Sequence, residues 1–424
     1  MNAGPRLDRR LGTGDAVVIG LGSMIGAGVF AAFAPAARAA GTGLLVGLAL
    51  AAVVAYCNAT ASAQLAAQYP ESGGTYVYGR ERLGPWWGFL AGWTFVVGKT
   101  ASCAAMALTF AAYAVPPAWQ RPAAVAAVVA LVAVNYRGLT RTAQLTRVLL
   151  AVVLAALAVA VAAGLSAETA DPGRLTDWSA GPHGWYGVLQ SAGLLFFAFA
   201  GYARLATLGE EVRDPARTIP RAIPLALGIT VAGYAAVAVT LLVALGPEGI
   251  AGSRTPVADA VAAGPWDWAP PLVGVGAAAA SLGALLGLVA GVGRTGLAMA
   301  RTGDLPRWLA AVHPRHRVPH HAELALGAVV CALVLAADLR ALIGFSSFGV
   351  LLYYLVANVA AYTQPARHRR WPRALQVAGG AGCVVLAVTL PWSSVVVGVA
   401  TLAVGAGLRA LRRRRPPAPA GHRA

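Results

Sequence analysis

Charge is scarce in this chain: acidic and basic residues make up 12% of its 424 residues, and lysine occurs once, at Lys99. So small a polar complement cannot solvate a globular exterior, which excludes an ordinary water-soluble domain. The 16 acidic residues and seven histidines avoid the interiors of the long apolar runs. That absence excludes a membrane-embedded enzyme, which needs a nucleophile, an acid–base pair or metal ligands within the bilayer depth. The four cysteines, Cys57, Cys103, Cys331 and Cys383, fall inside apolar runs without disulfide or zinc spacing, and read as small packing residues. Nothing in the sequence calls for a cofactor or a metal.

What is present is hydrophobic: 58% of the residues are apolar or aromatic and the mean hydropathy is +0.66. A helix rising 1.5 Å per residue needs about 20 apolar residues to cross the hydrocarbon. Runs of that kind predict an all-α integral membrane protein of about twelve spans, at 15–37, 42–66, 86–115, 121–136, 145–165, 185–206, 221–246, 270–298, 322–338, 341–363, 374–390 and 392–409. The formal charge of +17 does not point to nucleic acid, because the arginines are not gathered on one soluble face. They alternate instead. The even-numbered connections and both ends are arginine-rich, whereas the opposite loops hold only Arg38, Arg121, Arg174, Arg254 and Arg340. By the positive-inside rule both termini are expected in the cytoplasm, in a cytoplasmic membrane whose lipid is the chain's surrounding partner.

No connection is long enough for a separate domain. The division expected is a cytoplasmic N-terminal segment 1–14, a core 15–364, two further spans in 365–411 and a basic, proline-rich tail 412–424 that does not pack. Glu210 and Glu211 stand beside Arg213 and Arg217, where salt bridging or helix capping is the simplest role. His313, His316, His320 and His321 share an arginine-rich loop, whose cations argue against a metal site.

Two spans break the rule that a membrane helix is continuous. Span one carries four glycines in Gly20-Leu-Gly-Ser-Met-Ile-Gly-Ala-Gly28, and span six carries Gly201 and Arg204 near its end. Gly-x-x-x-Gly patterns such as Gly22 to Gly26 more often mark close helix packing than unwinding. Corresponding interruptions five spans apart, however, point to an inverted-repeat transporter with its site between discontinuous helices. The stretches 23–26 and 198–201 are therefore expected to be non-helical and to face each other.

At these residues the sequence resembles the amino acid-polyamine-organocation family of permeases. The likeness is carried by Gly22-Ser-Met-Ile-Gly-Ala-Gly-Val-Phe30, Tyr69-Pro-Glu-Ser-Gly-Gly-Thr-Tyr76, Phe197-Ala-Phe-Ala-Gly-Tyr202, Glu210-Glu-Val-Arg-Asp-Pro215, Gly303-Asp-Leu-Pro306 and Ser347-Phe-Gly-Val-Leu351. It implies two five-helix inverted repeats with discontinuous helices one and six, two C-terminal helices outside that core, and secondary active transport of amino acids or related amines. By resemblance the substrate lies between Ser23, Met24, Ile25, Gly26, Ala27 and Gly28 on one side and Phe197, Ala198, Phe199, Ala200 and Gly201 on the other. The amides of Ala27 and Gly28 would meet a carboxylate, and the carbonyls of Met24, Phe197 and Ala200 an ammonium group. Phe197 and Tyr202 would gate. Where many relatives have a hydroxyl this chain has Ala27, and where some have an acid two residues past the span-six glycine it has Ala203.

Three expectations concern coupling and alternatives. From Leu282 to Arg294 there is no Ser or Thr to ligate sodium, so sodium-independent transport, coupled to protons or working by exchange, is expected. Some relatives carry a coupling lysine on span five; the matching position here is Val153, and Lys99, halfway along span three, is the only charge deep in a span. A charge at that depth costs about 2.5–3.5 kcal/mol on insertion scales, so Lys99 is expected to face inward and to serve coupling or to contact the substrate side chain. Ser346 and Ser347 would add a polar contact, or bond their own helix. A channel, or a transporter-like sensor that binds an amino acid without net flux, stays open, as do the substrate's identity and the oligomeric state.

Overall fold

The computed structural model describes residues 11–70, 73–138, 143–206 and 212–414; Glu210 and Glu211 lie outside them. The described chain is nearly all helix: α1 Thr13–Met24, α2 Gly28–Ala31, α3 Phe33–Ala40, α4 Leu44–Gln68, α5 Thr75–Leu83, α6 Pro85–Ala114, α7 Gln120–Tyr136, α8 Ala143–Leu165, α9 Gly184–Phe199, α10 Ala203–Ala206, α11 Pro215–Gly252, α12 Pro256–Ala262, α13 Ala269–Arg301, α14 His320–Ala336, α15 Leu339–Tyr362, α16 Arg373–Thr389 and α17 Trp392–Arg414. Among the described residues ten helical segments are long and apolar enough to cross a membrane. Predicted spans nine and eleven fall on α14 and α16, apolar helices of 17 residues, shorter than the other ten. Trp86, Trp119, Trp185, Trp268, Trp308 and Trp392 are exposed near helix ends, the place where amphipathic rings favour the membrane interface.

The helices sort into two packing groups. Helices α1, α3, α4, α9 and α11 form one set and α6, α7, α13, α14 and α15 a second, joined where α15 packs on α4 and α9, while α8 lies against α1, α11 and α13. The second set is drawn tight where α6 crosses α15, because Gly98 and Gly349 let the backbones touch: a Cβ on Gly349 would stand 2.9 Å from the Gly98 Cα. Helix α16 packs on α4, α9 and α15, and α17 on α15.

Two boundaries differ from expectation. Helix α17 runs to Arg414, three residues into the segment 412–424, the rest of which lies outside the described residues. Helix α11 begins at Pro215, six residues ahead of the predicted apolar run, and turns sharply at Gly246, whose φ of 68° is followed by Pro247.

Candidate functional site

The expected interruption of span one exists, two residues further on; span six, expected to be non-helical at 198–201, instead passes from α-helix into a 3₁₀ turn at 200–202. Ser23 and Met24 are the last residues of α1, and the chain leaves the helix at Ile25 (φ −79°, ψ 69°) through Ala27. The Gly26 amide turns back to the Met24 carbonyl at 2.8 Å, and helix resumes at Gly28. A bend at Ala32 separates α2 from α3, where Pro35 supplies no amide for the carbonyl one turn back. In span six Ala198 and Phe199 are still α-helical; Ala200–Tyr202 form a single 3₁₀ turn and α10 follows. One glycine among alanines, against four in span one, is enough to tighten the helix but not to unwind it.

The glycines bring the two interruptions together in antiparallel register. A Cβ on Gly20 would meet Leu205 Cδ1 at 2.4 Å, one on Gly201 the Ser23 carbonyl oxygen at 2.1 Å, and one on Gly28 the Ala198 Cα at 2.5 Å. Gly26 backs onto α13, its missing Cβ 3.1 Å from that of Ala284. Met24, Ile25, Ala27, Phe197, Ala198, Phe199 and Ala200 are all buried at this junction.

The carbonyls that the interruptions release are met by side chains from other helices. The Tyr234 hydroxyl on α11 lies 2.6 Å from the Met24 carbonyl oxygen and 3.0 Å from that of Ala198, so its one proton serves both turns. Lys99, halfway along α6 and 5% exposed, donates from Nζ to the Ala200 carbonyl at 3.2 Å. The Tyr354 hydroxyl approaches the same oxygen at 3.5 Å. Thus two of the expected ammonium acceptors, Met24 and Ala200, are engaged by the protein's own donors. The α9 carbonyl that Tyr234 reaches is Ala198's, not Phe197's, because it lies one residue nearer the 3₁₀ turn.

The remaining candidates sit as follows. Ser23 bonds its hydroxyl to the Ile19 carbonyl at 2.8 Å, within its own helix. Phe197 is buried in the core, and Tyr202, fully buried, stacks on Tyr354 with centroids 4.8 Å apart. Ser346 shares a 2.6 Å hydrogen bond with Ser102 across α15 and α6, whereas the buried Ser347 hydroxyl has no hydrogen-bond partner. Val153 is buried on α8, with no polar group to offer.

A second polar cluster closes the end of the bundle that carries the arginine-rich connections. Asp304, just past α13, is 7% exposed and accepts from the Tyr76 hydroxyl at 3.0 Å. Its carboxylate also stands 3.2 Å from Arg409 of α17 and 3.5 Å from Arg80 of α5. Arg409 is itself 3% exposed and lies over the Phe89 ring at 4.5 Å. At the same end His313, His316 and His320 surround Tyr136, and the His313 Nδ1 accepts the amides of Arg315 and His316, so these rings shape a turn. Glu323, in the first turn of α14, is buried beside Gly293.

Tyr234, Asp304 and Arg409 were not singled out in the sequence as a site or a pair. Tyr234 carried a usable signal, since a tyrosine inside an apolar run must find a hydrogen-bond partner when buried. The Asp304–Arg409 pair joins residues more than a hundred positions apart, and no local pattern encodes it.

The family model described as amino acid permease matches residues 11–408. An uncharacterized transporter of Mycobacterium tuberculosis is 62% identical over 407 residues, covering 96% of this chain and 92% of the relative. The branched-chain amino acid permease BcaP of Bacillus subtilis is 26% identical, over 94% of this chain and 92% of its own length. Human cationic amino acid transporter 4 is 29% identical, over 82% of this chain and 58% of its own. A match over nearly the whole chain, on a fold of membrane-length helices with two interrupted ones set against each other, places the protein: it belongs to the amino acid permease family, within the amino acid-polyamine-organocation permeases.

Proposed function

We propose that this protein is a secondary active transporter that moves amino acids or related small amines across the cytoplasmic membrane by alternating access. The observation that carries this reading is the antiparallel meeting of two interrupted helices, whose freed carbonyls take hydrogen bonds from Tyr234 and Lys99. Groups that already accept a tyrosine proton and an ammonium proton have the chemistry to accept a substrate's ammonium group. The amides of Ala27 and Gly28 head the resumed helix, where no carbonyl one turn back lies within α2, and they would receive the substrate carboxylate. The site thus comprises Ser23 to Gly28 and Phe197 to Gly201, with Phe197 and Tyr202 gating and Lys99 supplying coupling or side-chain recognition.

In this reading residues 15–364 form two five-helix inverted repeats, with 365–411 flanking them and both termini in the cytoplasm. Transport is sodium-independent, coupled to protons or working by exchange, because α13 offers no hydroxyl between Leu282 and Arg294. A membrane sensor that binds an amino acid without flux is the second reading. Uptake and counterflow of amino acids and amines in proteoliposomes, under imposed proton and sodium gradients, test both. Saturable counterflow that survives replacement of sodium by choline is expected. A strict sodium requirement would overturn the coupling assignment, and binding without flux would favour the sensor.

A further inference from the structure

We infer that the substrate is an amino dicarboxylate, and that Lys99 receives its side-chain carboxylate; the inference deepens the site proposed above and rests on it. Lys99 carries three donors, yet its partner among the described residues is a single neutral oxygen, that of Ala200. The Tyr354 hydroxyl shares that oxygen, and the Cys103 thiol lies one turn along α6. The buried carboxylates among the described residues are Asp304 and Glu323. Asp304 is held by Arg80 and Arg409, and Glu323 lies beside Gly293 at the start of α14. No ion pair joins Lys99 to a fixed acid among those residues. A lysine buried at mid-span must meet a counter-charge or give up its proton, and among the described residues no counter-charge meets it.

The hydrogen-bond inventory tells which ligand fits. For a substrate ammonium to reach the Ala200 carbonyl, Lys99 must let go of it. A side-chain carboxylate within reach gives the lysine a stronger, charge-assisted acceptor in exchange. With an amino dicarboxylate of net charge −1, the lysine and the ligand sum to zero, and each donor has an acceptor. A neutral amino acid leaves the lysine displaced with nothing gained. A cationic one puts a second positive charge beside it; at about 6 Å and an effective dielectric near 20 that repulsion disfavours binding on the order of 100-fold. The charge of this site therefore has the same sign as the substrates named for the cationic amino acid transporters among its relatives, and the opposite sign to a dicarboxylate.

The test uses the purified full chain, in detergent for ligand-dependent thermal stabilisation and in proteoliposomes for counterflow, with glutamate, aspartate, leucine and arginine as probes. A dicarboxylate is expected to compete at least about tenfold better than leucine and on the order of 100-fold better than arginine. Lys99→Met is expected to abolish that preference in favour of leucine, and Lys99→Arg to keep it. Wild-type protein that prefers leucine or arginine, or a Lys99→Met variant that still prefers glutamate, overturns the inference. Glutamate-dependent stabilisation that vanishes in Lys99→Met, with no flux in vesicles, upholds recognition while overturning transport. Absence of both flux and stabilisation with every probe overturns both.

Discussion

Among the described residues two cations are buried to within 5% exposure, and they are held in opposite ways: Arg409 stands against a carboxylate, Lys99 against a carbonyl. Arg409 has the Asp304 oxygen at 3.2 Å, the Phe89 face at 4.5 Å and the Trp86 ring at 5.3 Å. Its charge is cancelled inside the fold, and it fastens α17 to the end of α13. Among the described residues Lys99 has only a neutral dipole, that of the Ala200 carbonyl. A cation with a built-in counter-ion is part of the architecture. One without it keeps its charge available for something that comes and goes.

If that contrast is right, the two sites must respond to charge removal with opposite signs. The largest effect is expected from Asp304→Asn, which strands Arg409 in a buried site. Breaking a buried pair from one side costs about 3–5 kcal/mol, to be read as a lowered thermal midpoint in detergent. The double variant Asp304→Asn with Arg409→Met should recover most of that loss, since hydrophobic replacement of a whole buried pair is often neutral. A mild effect of the single change would remove the distinction. Lys99→Met is expected next in size and reversed in sign: it deletes an unneutralised charge and should leave stability unchanged or raise it by roughly 1–3 kcal/mol. A marked destabilisation in that variant would make Lys99 a structural cation like Arg409. The smallest effect is expected from Tyr234→Phe, which removes a neutral hydrogen bond at the same depth as Lys99. Loss of the hydroxyl leaves the Met24 and Ala198 carbonyls short of a donor and should cost about 1–2 kcal/mol in thermal unfolding. A loss as large as that for Asp304→Asn would mean that charge is not what separates the two sites.

Much of this was legible in the sequence because membrane spans are written locally. Length and hydropathy place α6 and α13 within a few residues of their predicted runs, since the apolar stretch itself must cover the hydrocarbon. The interruptions were visible as glycines but misplaced by two residues, because where a helix actually breaks depends on what it packs against. Gly28 and Gly201 turn out to be required for backbone contact as much as for flexibility. Lys99 was conspicuous as a lone charge, yet its partner could not be read, as the Ala200 carbonyl is a backbone group on a helix a hundred residues away. The Asp304 cluster was hidden for a similar reason. Its members come from four different elements, and each alone reads as an ordinary residue near a helix end.

The two helix groups give the Lys99–Ala200 contact a further meaning. Ala200 travels with α1 and α9, whereas Lys99 is locked to α15 through the Gly98–Gly349 crossing. In the proposed reading, a ligand that bridges them is held at one end by Lys99 of α6 and at the other by the turn that follows α9. The molecule's own length then acts as a gauge. One too short to reach Lys99 would leave the lysine on its carbonyl and gain no charge-assisted bond. One too long for that span would fit poorly, so under the proposed recognition extended dicarboxylates are expected to compete without being carried.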